Sequence, residues 1–89
     1  MIGHIVYSKR GHDKGKIFVV IAENDLYLYL VDGSKRLFKN PKRKKIKHVQ
    51  VTNYICDEII KKISKGNCLD LDIKMAIKNY VNIKSRESG

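Results

Sequence analysis

The sequence of 89 residues predicts a mainly β domain, a small five-stranded barrel followed by one or two α-helices. Residues 2–22 form two apolar runs, rich in β-branched and aromatic residues, on either side of a basic turn that has glycine at both ends. Such runs favour strands over helices. Further short apolar runs, separated by turn residues, continue to about residue 52. Because a closed sheet removes exposed strand edges, a barrel is the favoured arrangement.

Each predicted strand is bounded by a turn signal. The second strand is continuously apolar, which indicates burial on both faces or strong curvature. The third alternates Tyr27 and Tyr29 with Leu28 and Leu30, which is the period of a strand with two different faces. Asn24-Asp25 and Asp32-Gly33 are typical turn pairs, and Tyr7 is expected to be at least partly buried. The predicted strands are residues 1–8, 16–23, 26–31, 36–38 and 46–51.

Beyond residue 52 the apolar period changes to that of a helix. The first helix is predicted from Ile55, Ile59, Ile60 and Ile63, with Thr52 or Asn53 as its N-cap and Gly66-Asn67 at its C-terminus. The second is predicted to begin at Asp70 or Asp72, with an apolar stripe of Ile73, Ala76, Ile77 and Tyr80. The domain organisation predicted is therefore a barrel at 1–52, a helical appendage at 53–82 and a polar tail at 83–89.

Positive charge is the main compositional signal. Lys and Arg number 19 against 9 Asp and Glu, a formal net charge of +10, and no acid lies between Asp32 and Asp57. A long cationic stretch without interspersed acids favours a polyanionic partner met on one side of the molecule. The alternative is a solvated, lysine-rich loop. The two helices carry acid and base in near balance, so they are not assigned to the nucleic-acid face.

Catalytic and metal sites are not indicated. His4, His12 and His48 cannot be combined with serine, cysteine or carboxylate partners into a catalytic arrangement, and Asp70 and Asp72 are typical helix-capping residues. Cys56 and Cys68 lack the paired spacing of a zinc site and are expected to be free thiols. We therefore expect a protein that is not an enzyme and that holds no metal and no cofactor.

The sequence predicts a cytoplasmic protein without a membrane partner. No apolar stretch approaches the roughly 20 residues of a membrane span, and the N-terminus lacks the layout of a signal peptide. Nothing in the sequence specifies an oligomeric state, and we expect a monomer.

Three segments, in this order, resemble a known family. They are VYSKRGHDKGKIFVVI around Gly11–Lys16, LVDG at Leu30–Gly33, and KRKKIKHVQVTN at Lys42–Asn53. The first resembles the KOW motif of ribosomal and transcription-elongation proteins. Together they resemble the archaeal and eukaryotic large-subunit ribosomal protein fourteen family and its small bacterial relatives. The resemblance covers Ile2 to about Asn53 and implies an SH3-like (KOW) barrel that binds ribosomal RNA.

Candidate RNA-binding residues follow from the resemblance and from charge. The family contacts RNA through the turn and through the loop before the closing strand, and the matching positions are Lys9, Arg10, Gly11, Lys14, Gly15, Lys16, Lys42, Arg43, Lys44, Lys45, Lys47 and His48. Family members often carry Arg or Glu after Gly11, where this chain has His12. The basic turn and the acid-free stretch add His12, Lys35 and Arg36 to the candidates.

These observations predict a non-enzymatic module that binds structured, ribosomal RNA in translation. Cations aimed at phosphates supply affinity without reading sequence. One alternative is a protein-interaction module that docks on a translation or transcription factor through its helices, and ribosome-associated proteins are possible partners in either case. A second alternative is a DNA-binding module, although the chain lacks a basic recognition helix.

Overall fold

A computed structural model describes residues 1–87 and shows a five-stranded antiparallel sheet followed by two helices. The predicted class, a small β domain with C-terminal helices, is confirmed. The elements in chain order are β1 (His4–Ser8), β2 (Ile17–Glu23), β3 (Tyr27–Val31), β4 (Lys42–Lys45), a 3₁₀ turn (Ile46–His48), β5 (Val49–Ile55), α1 (Asp57–Ser64) and α2 (Asp70–Glu87).

The sheet is not closed into a barrel. Its strand order is β4-β3-β2-β1-β5, so β4 and β5 are its two edges. They are consecutive in sequence, but the 3₁₀ turn at residues 46–48 redirects the chain between them. Bulges in the pairing of β1 with β5 and of β2 with β3 curve the sheet instead.

The predicted fourth strand at residues 36–38 is wrong, and β4 lies at Lys42–Lys45 instead. Side chains take the backbone N–H groups that a strand would need. Asp32 Oδ1 accepts hydrogen bonds from the N–H of Ser34 and of Arg36, both at 2.9 Å, and Asp70 Oδ1 accepts one from Phe38 at 2.9 Å. The closing strand also begins later than predicted, at Val49, because residues 46–48 form the 3₁₀ turn.

The curved sheet is buried on both faces. On one face, Ile5, Val19 and Val31 pack with side chains of the two helices. On the other, a second cluster contains only strand residues, Val6, Phe18, Val20, Leu28, Leu30 and Val49. These side chains are 0–5% exposed, and since no helix residue belongs to this cluster, the sheet covers it by its own curvature. Residues 18–20 of β2 are buried on both faces, which is one of the two alternatives that its continuous apolar run indicated.

The two helices follow most of the predicted stripes but not all the predicted ends, since Ile55 of the first stripe lies in β5 and is 45% exposed. Ile59, Ile73 and Tyr80 are buried as expected, and Tyr80 Oη lies 2.9 Å from Oη of the half-buried Tyr7. Helix α1 begins after Cys56, with no side-chain cap, because β5 continues through residues 52–55. At the other end of α1, Gly66 has φ +70° and the Asn67 N–H bonds Lys62 O at 3.0 Å, as in a Schellman motif.

Helix α2 is longer than predicted, since it continues to Glu87. Residues 83–87 of the predicted polar tail are therefore helical, and residues 88–89 lie outside the described part. Cys56 and Cys68 are free thiols, as predicted. Within residues 1–87, no helix is both long enough and apolar enough to span a bilayer.

Candidate nucleic-acid interface

The basic turn between β1 and β2 is a tightly bonded reversal of the chain. Gly11 and Gly15 have φ of +89° and +86°, a region that favours glycine. The N–H of Gly15 donates to Ser8 O at 2.8 Å, and the N–H of Lys16 donates to Asp13 O at 2.9 Å. This conformation leaves the basic side chains of the turn exposed to solvent: Lys9, Arg10, His12, Lys14 and Lys16.

Asp13 is the one buried side chain of this turn, and it joins the turn to β4. Its Oδ1 lies 2.6 Å from Lys44 Nζ and 2.8 Å from Ser8 Oγ, and its Oδ2 lies 3.1 Å from Lys42 Nζ. Lys44 Nζ also donates to the carbonyl oxygen of Arg10. We call Ser8, Asp13, Lys42 and Lys44 the Asp13 clasp. Because Lys42 and Lys44 belong to β4, the clasp holds the turn against that strand.

The pKa of Asp13 reflects two opposed effects. Burial by itself would raise the pKa of the carboxyl group. Hydrogen bonds from Lys44, Ser8 and Lys42 and the charge of Lys44 outweigh burial, and they hold the pKa of Asp13 well below its usual range. The carboxylate is therefore ionised at neutral pH and compensates buried positive charge.

Successive side chains of β4 lie on opposite faces of the sheet, and this determines which of its cations reach Asp13. Lys44 pairs with Leu28 of β3 and Lys42 with Leu30, so both lysines share the inner face of the curved sheet with those leucines. Arg43 and Lys45 pair with Tyr29 and Tyr27 and lie on the outer face.

The 3₁₀ turn after β4 contacts the basic turn at a second point. The backbone N–H of Lys9 donates to His48 O at 2.9 Å. Burial and then the charges of Arg10, Lys47, Lys45 and Lys44 lower the pKa of His48. The four charges come from the basic turn, from β4 and from the 3₁₀ turn. Cations from two segments about 35 residues apart in sequence therefore converge on one surface.

The structure sorts the candidate residues into groups. We define the basic surface as the exposed or half-exposed Lys, Arg and His side chains that the clasp and the Lys9–His48 bond bring together: Lys9, Arg10, His12, Lys14, Lys16, Lys45, Lys47 and His48. Gly11 and Gly15 shape its turn. Lys35 and Arg36 lie beside it, where they line a shallow depression with His12 and Lys16.

Three candidates have other surroundings. Lys44 is only 9% exposed, and its ammonium group is bonded within the clasp. Lys42 is half-buried and paired with Asp13. Arg43 and Lys45 share the outer face of β4, but Arg43 contacts the Tyr27 ring, with its Cζ 4.6 Å from the centroid. Lys45 ends the strand beside the 3₁₀ turn that carries His48.

Sequence reasoning missed the role of Asp13, which it treated only as a residue of the turn. Two signals could have indicated the clasp. Asp13 is the only acid among the cations of residues 9–16, and Lys42 and Lys44 are spaced by two within KRKK, as on one face of a strand. If such an acid is buried it must be paired, and lysines on one face of a neighbouring strand can supply the partners.

Within residues 1–87, no group of three or more His, Cys, Asp and Glu side chains could hold a metal ion. No model of a known protein family matches the chain, and no curated protein is significantly similar to it.

Proposed function

We propose that this protein is a non-enzymatic RNA-binding module that docks its basic surface on the phosphate backbone of structured RNA. The observation that supports the proposal is the Asp13 clasp. It holds two cationic segments side by side, while the only acid of the turn is buried and paired with Lys42 and Lys44. The exposed charged side chains of the turn are therefore Lys9, Arg10, Lys14 and Lys16, with no compensating carboxylate among them.

Electrostatics favours a polyphosphate as the partner of such a surface. Mutual repulsion between close cations is relieved when phosphates replace the counterions around them, and release of counterions from RNA supplies affinity. Shape and 2′-hydroxyl contacts would then select structured RNA, because phosphate contacts carry no sequence information.

The resemblance to KOW proteins and to the ribosomal protein fourteen family supports a narrower proposal. We infer that the RNA is ribosomal, that the protein works in translation in the cytoplasm, and that it binds as a monomer. The segments that carry the resemblance contain both halves of the basic surface, the turn at 9–16 and residues 45–48.

The test is a salt titration of RNA affinity. Fluorescence anisotropy with a folded ribosomal RNA hairpin should give a log Kd that rises linearly with log salt, by about 0.7–0.9 for each phosphate engaged. The variant Lys45→Gln/Lys47→Gln should bind more weakly and with a slope smaller by about 1.5. The matched control Lys61→Gln/Lys65→Gln removes the same charge from exposed positions in and just after α1. Affinity independent of salt, or equal losses in both variants, would contradict the proposal.

A second candidate function, docking on a translation or transcription factor, is favoured by one observation. Leu69, Leu71 and Met75 at the start of α2 are 64%, 63% and 46% exposed. In this case Leu71→Ser/Met75→Ser should abolish a nuclease-resistant complex recovered from cells, and Lys45→Gln/Lys47→Gln should leave it intact. A complex that is destroyed by nuclease treatment would instead support the RNA-binding function.

A further inference from the structure

A groove between the sheet and α2 gathers four lysines from three separate segments. Lys16 is the last residue of the basic turn, Lys35 lies in the turn after β3, and Lys74 and Lys78 lie one helical turn apart on α2. All four side chains are exposed. Ile17 and Ile77 supply the apolar part of the lining. Nothing in the sequence indicated this groove, because acidic and basic residues are nearly balanced along the helices. Lys74 and Lys78 come close to Lys16 and Lys35 only in the folded chain.

In the described part of the chain no acid of α2 forms an ion pair with these lysines, and Glu87 pairs with Lys84 at 3.2 Å. Asp72 is paired with Lys62 of α1 at 2.9 Å, and Asp70 accepts the backbone N–H of Phe38 at 2.9 Å. The only acid of the groove lining, Asp32, accepts two backbone N–H groups of its own turn. Within residues 1–87, none of the four lysines forms an ion pair.

The position of the groove is held by close backbone packing. Gly33, with φ +78°, lies so near the first turn of α2 that a Cβ placed on it would be 2.5 Å from Asp70 O. This contact fixes the turn that carries Lys35 against the helix that carries Lys74. The groove is also continuous with the basic surface, since Lys16 and Lys35 line both this groove and the depression that contains His12.

From this geometry we propose that α2 is part of the RNA interface, and that the groove of Lys16, Lys35, Lys74 and Lys78 holds a second stretch of the RNA phosphate backbone. The inference rests on the proposed RNA-binding function and extends it to the helix. Like charges at i, i+4 destabilise a helix slightly, and bound phosphates would offset that repulsion. An acidic peptide would meet the same charges, but the continuity with the basic surface favours one long polyanion over a separate ligand.

The test compares Lys74→Gln/Lys78→Gln with Lys61→Gln/Lys65→Gln, which has the same spacing and charge change. Both variants alter exposed side chains and should keep the thermal midpoint of the wild type. With the folded RNA hairpin, the α2 variant should lose about tenfold in affinity and about 1.5 in salt slope, because two phosphate contacts disappear. Lysine acetylation followed by mass spectrometry should show that RNA protects Lys74 and Lys78 more than Lys61 and Lys65.

The possible outcomes distinguish failure of this inference from failure of the proposed RNA-binding function on which it rests. If the wild type binds RNA with a steep salt dependence but the α2 variant binds equally well and Lys74 and Lys78 stay reactive, the groove inference is wrong and the proposed function stands. If the wild type does not bind RNA, both fail. If the α2 variant loses affinity for poly-glutamate and not for RNA, the groove binds an acidic protein segment, which also overturns the inference.

Discussion

Asp13 is the residue on which the arrangement of the basic surface depends. It is 7% exposed and lies between two lysines of β4. We expect Asp13→Asn to lower the free energy of unfolding by about 3–5 kcal/mol, because Lys44 would remain buried without a counter-charge. Urea denaturation measures this loss. In the control Glu23→Gln, which breaks a half-exposed pair with the N-terminus, the loss should not exceed about 1 kcal/mol. Equal losses in the two variants would show that the clasp is not a buried pair.

The same carboxylate predicts the acid sensitivity of the fold. The pKa of Asp13 is lower in the folded protein than in the unfolded chain. Its contribution is therefore fully present above the ordinary Asp pKa of about 4, and it is lost progressively as the pH falls below that value. In denaturation series from pH 7 to pH 2, the stability advantage of the wild type over Asp13→Asn should shrink only below about pH 4. A constant difference across this range would contradict the assignment.

His48 predicts a pH dependence of RNA binding. Burial and the neighbouring cations Arg10, Lys47 and Lys45 lower its pKa. Bound phosphates would offset those charges and raise the pKa, so the complex should take up a proton and bind more tightly as the pH falls from 8 to 5.5. His48→Gln should reduce this dependence, measured by anisotropy, more than His12→Gln does. Identical pH profiles for the wild type and His48→Gln would exclude the effect.

At the scale of elements, the contact between the Asp32–Arg36 turn and α2 positions the lysine groove. Gly33 has φ +78°, and a Cβ there would lie 2.5 Å from Asp70 O and 2.6 Å from Lys74 N, which are both backbone atoms. Gly33→Ala should therefore cost more than about 2 kcal/mol of unfolding free energy, because strain in φ adds to a clash that no side chain can relieve.

The matched control for Gly33 is Gly66, the glycine that ends α1. Its φ is +70°, and nothing lies within 4 Å of an added Cβ. Gly66→Ala should cost only the conformational penalty, about 1 kcal/mol. Urea denaturation of both variants gives the comparison, and an equal cost would mean that the turn and α2 do not pack as described.

The whole molecule is held together by a core that the sheet and the helices share. Ile5, Val19 and Val31 of the sheet pack with Ile73 and other side chains of the helices. Full exposure of those three sheet residues would cost about 1.5–3 kcal/mol each, which is comparable with the 5–15 kcal/mol that stabilises a typical domain. The predicted barrel region at 1–52 therefore depends on the helices that follow it.

This dependence predicts that residues 1–55 do not fold alone. The fragment should give a poorly dispersed NMR spectrum and no cooperative thermal transition. In the full chain, Ile73→Ala should cost about 2–5 kcal/mol, whereas Leu71→Ala, on the exposed side of α2, should stay within about 0.5 kcal/mol. A well-dispersed spectrum for the fragment would show that the sheet is an independent domain.

Local patterns in the sequence were enough to predict the class of the fold. The two-residue alternation of β3, the continuous apolar run of β2 and the helical stripe ending at Tyr80 are properties of neighbouring residues, and the structure has all three elements. The position of β4 could not be predicted in this way, because KRKK has no apolar residue. It is a strand because its backbone pairs with β3 and its lysines reach Asp13.

The sequence by itself therefore determined four of the five strands, the two helices and the excess of positive charge. Tertiary structure alone decided which cations are exposed and which are used inside the fold: Lys44 is buried against Asp13, and Lys74 and Lys78 lie beside Lys16 and Lys35. The reason is physical. Strand and helix periods arise from bonds between near neighbours in the chain, whereas the environment of a charge depends on partners that the folded chain brings from about 30 to 60 residues away.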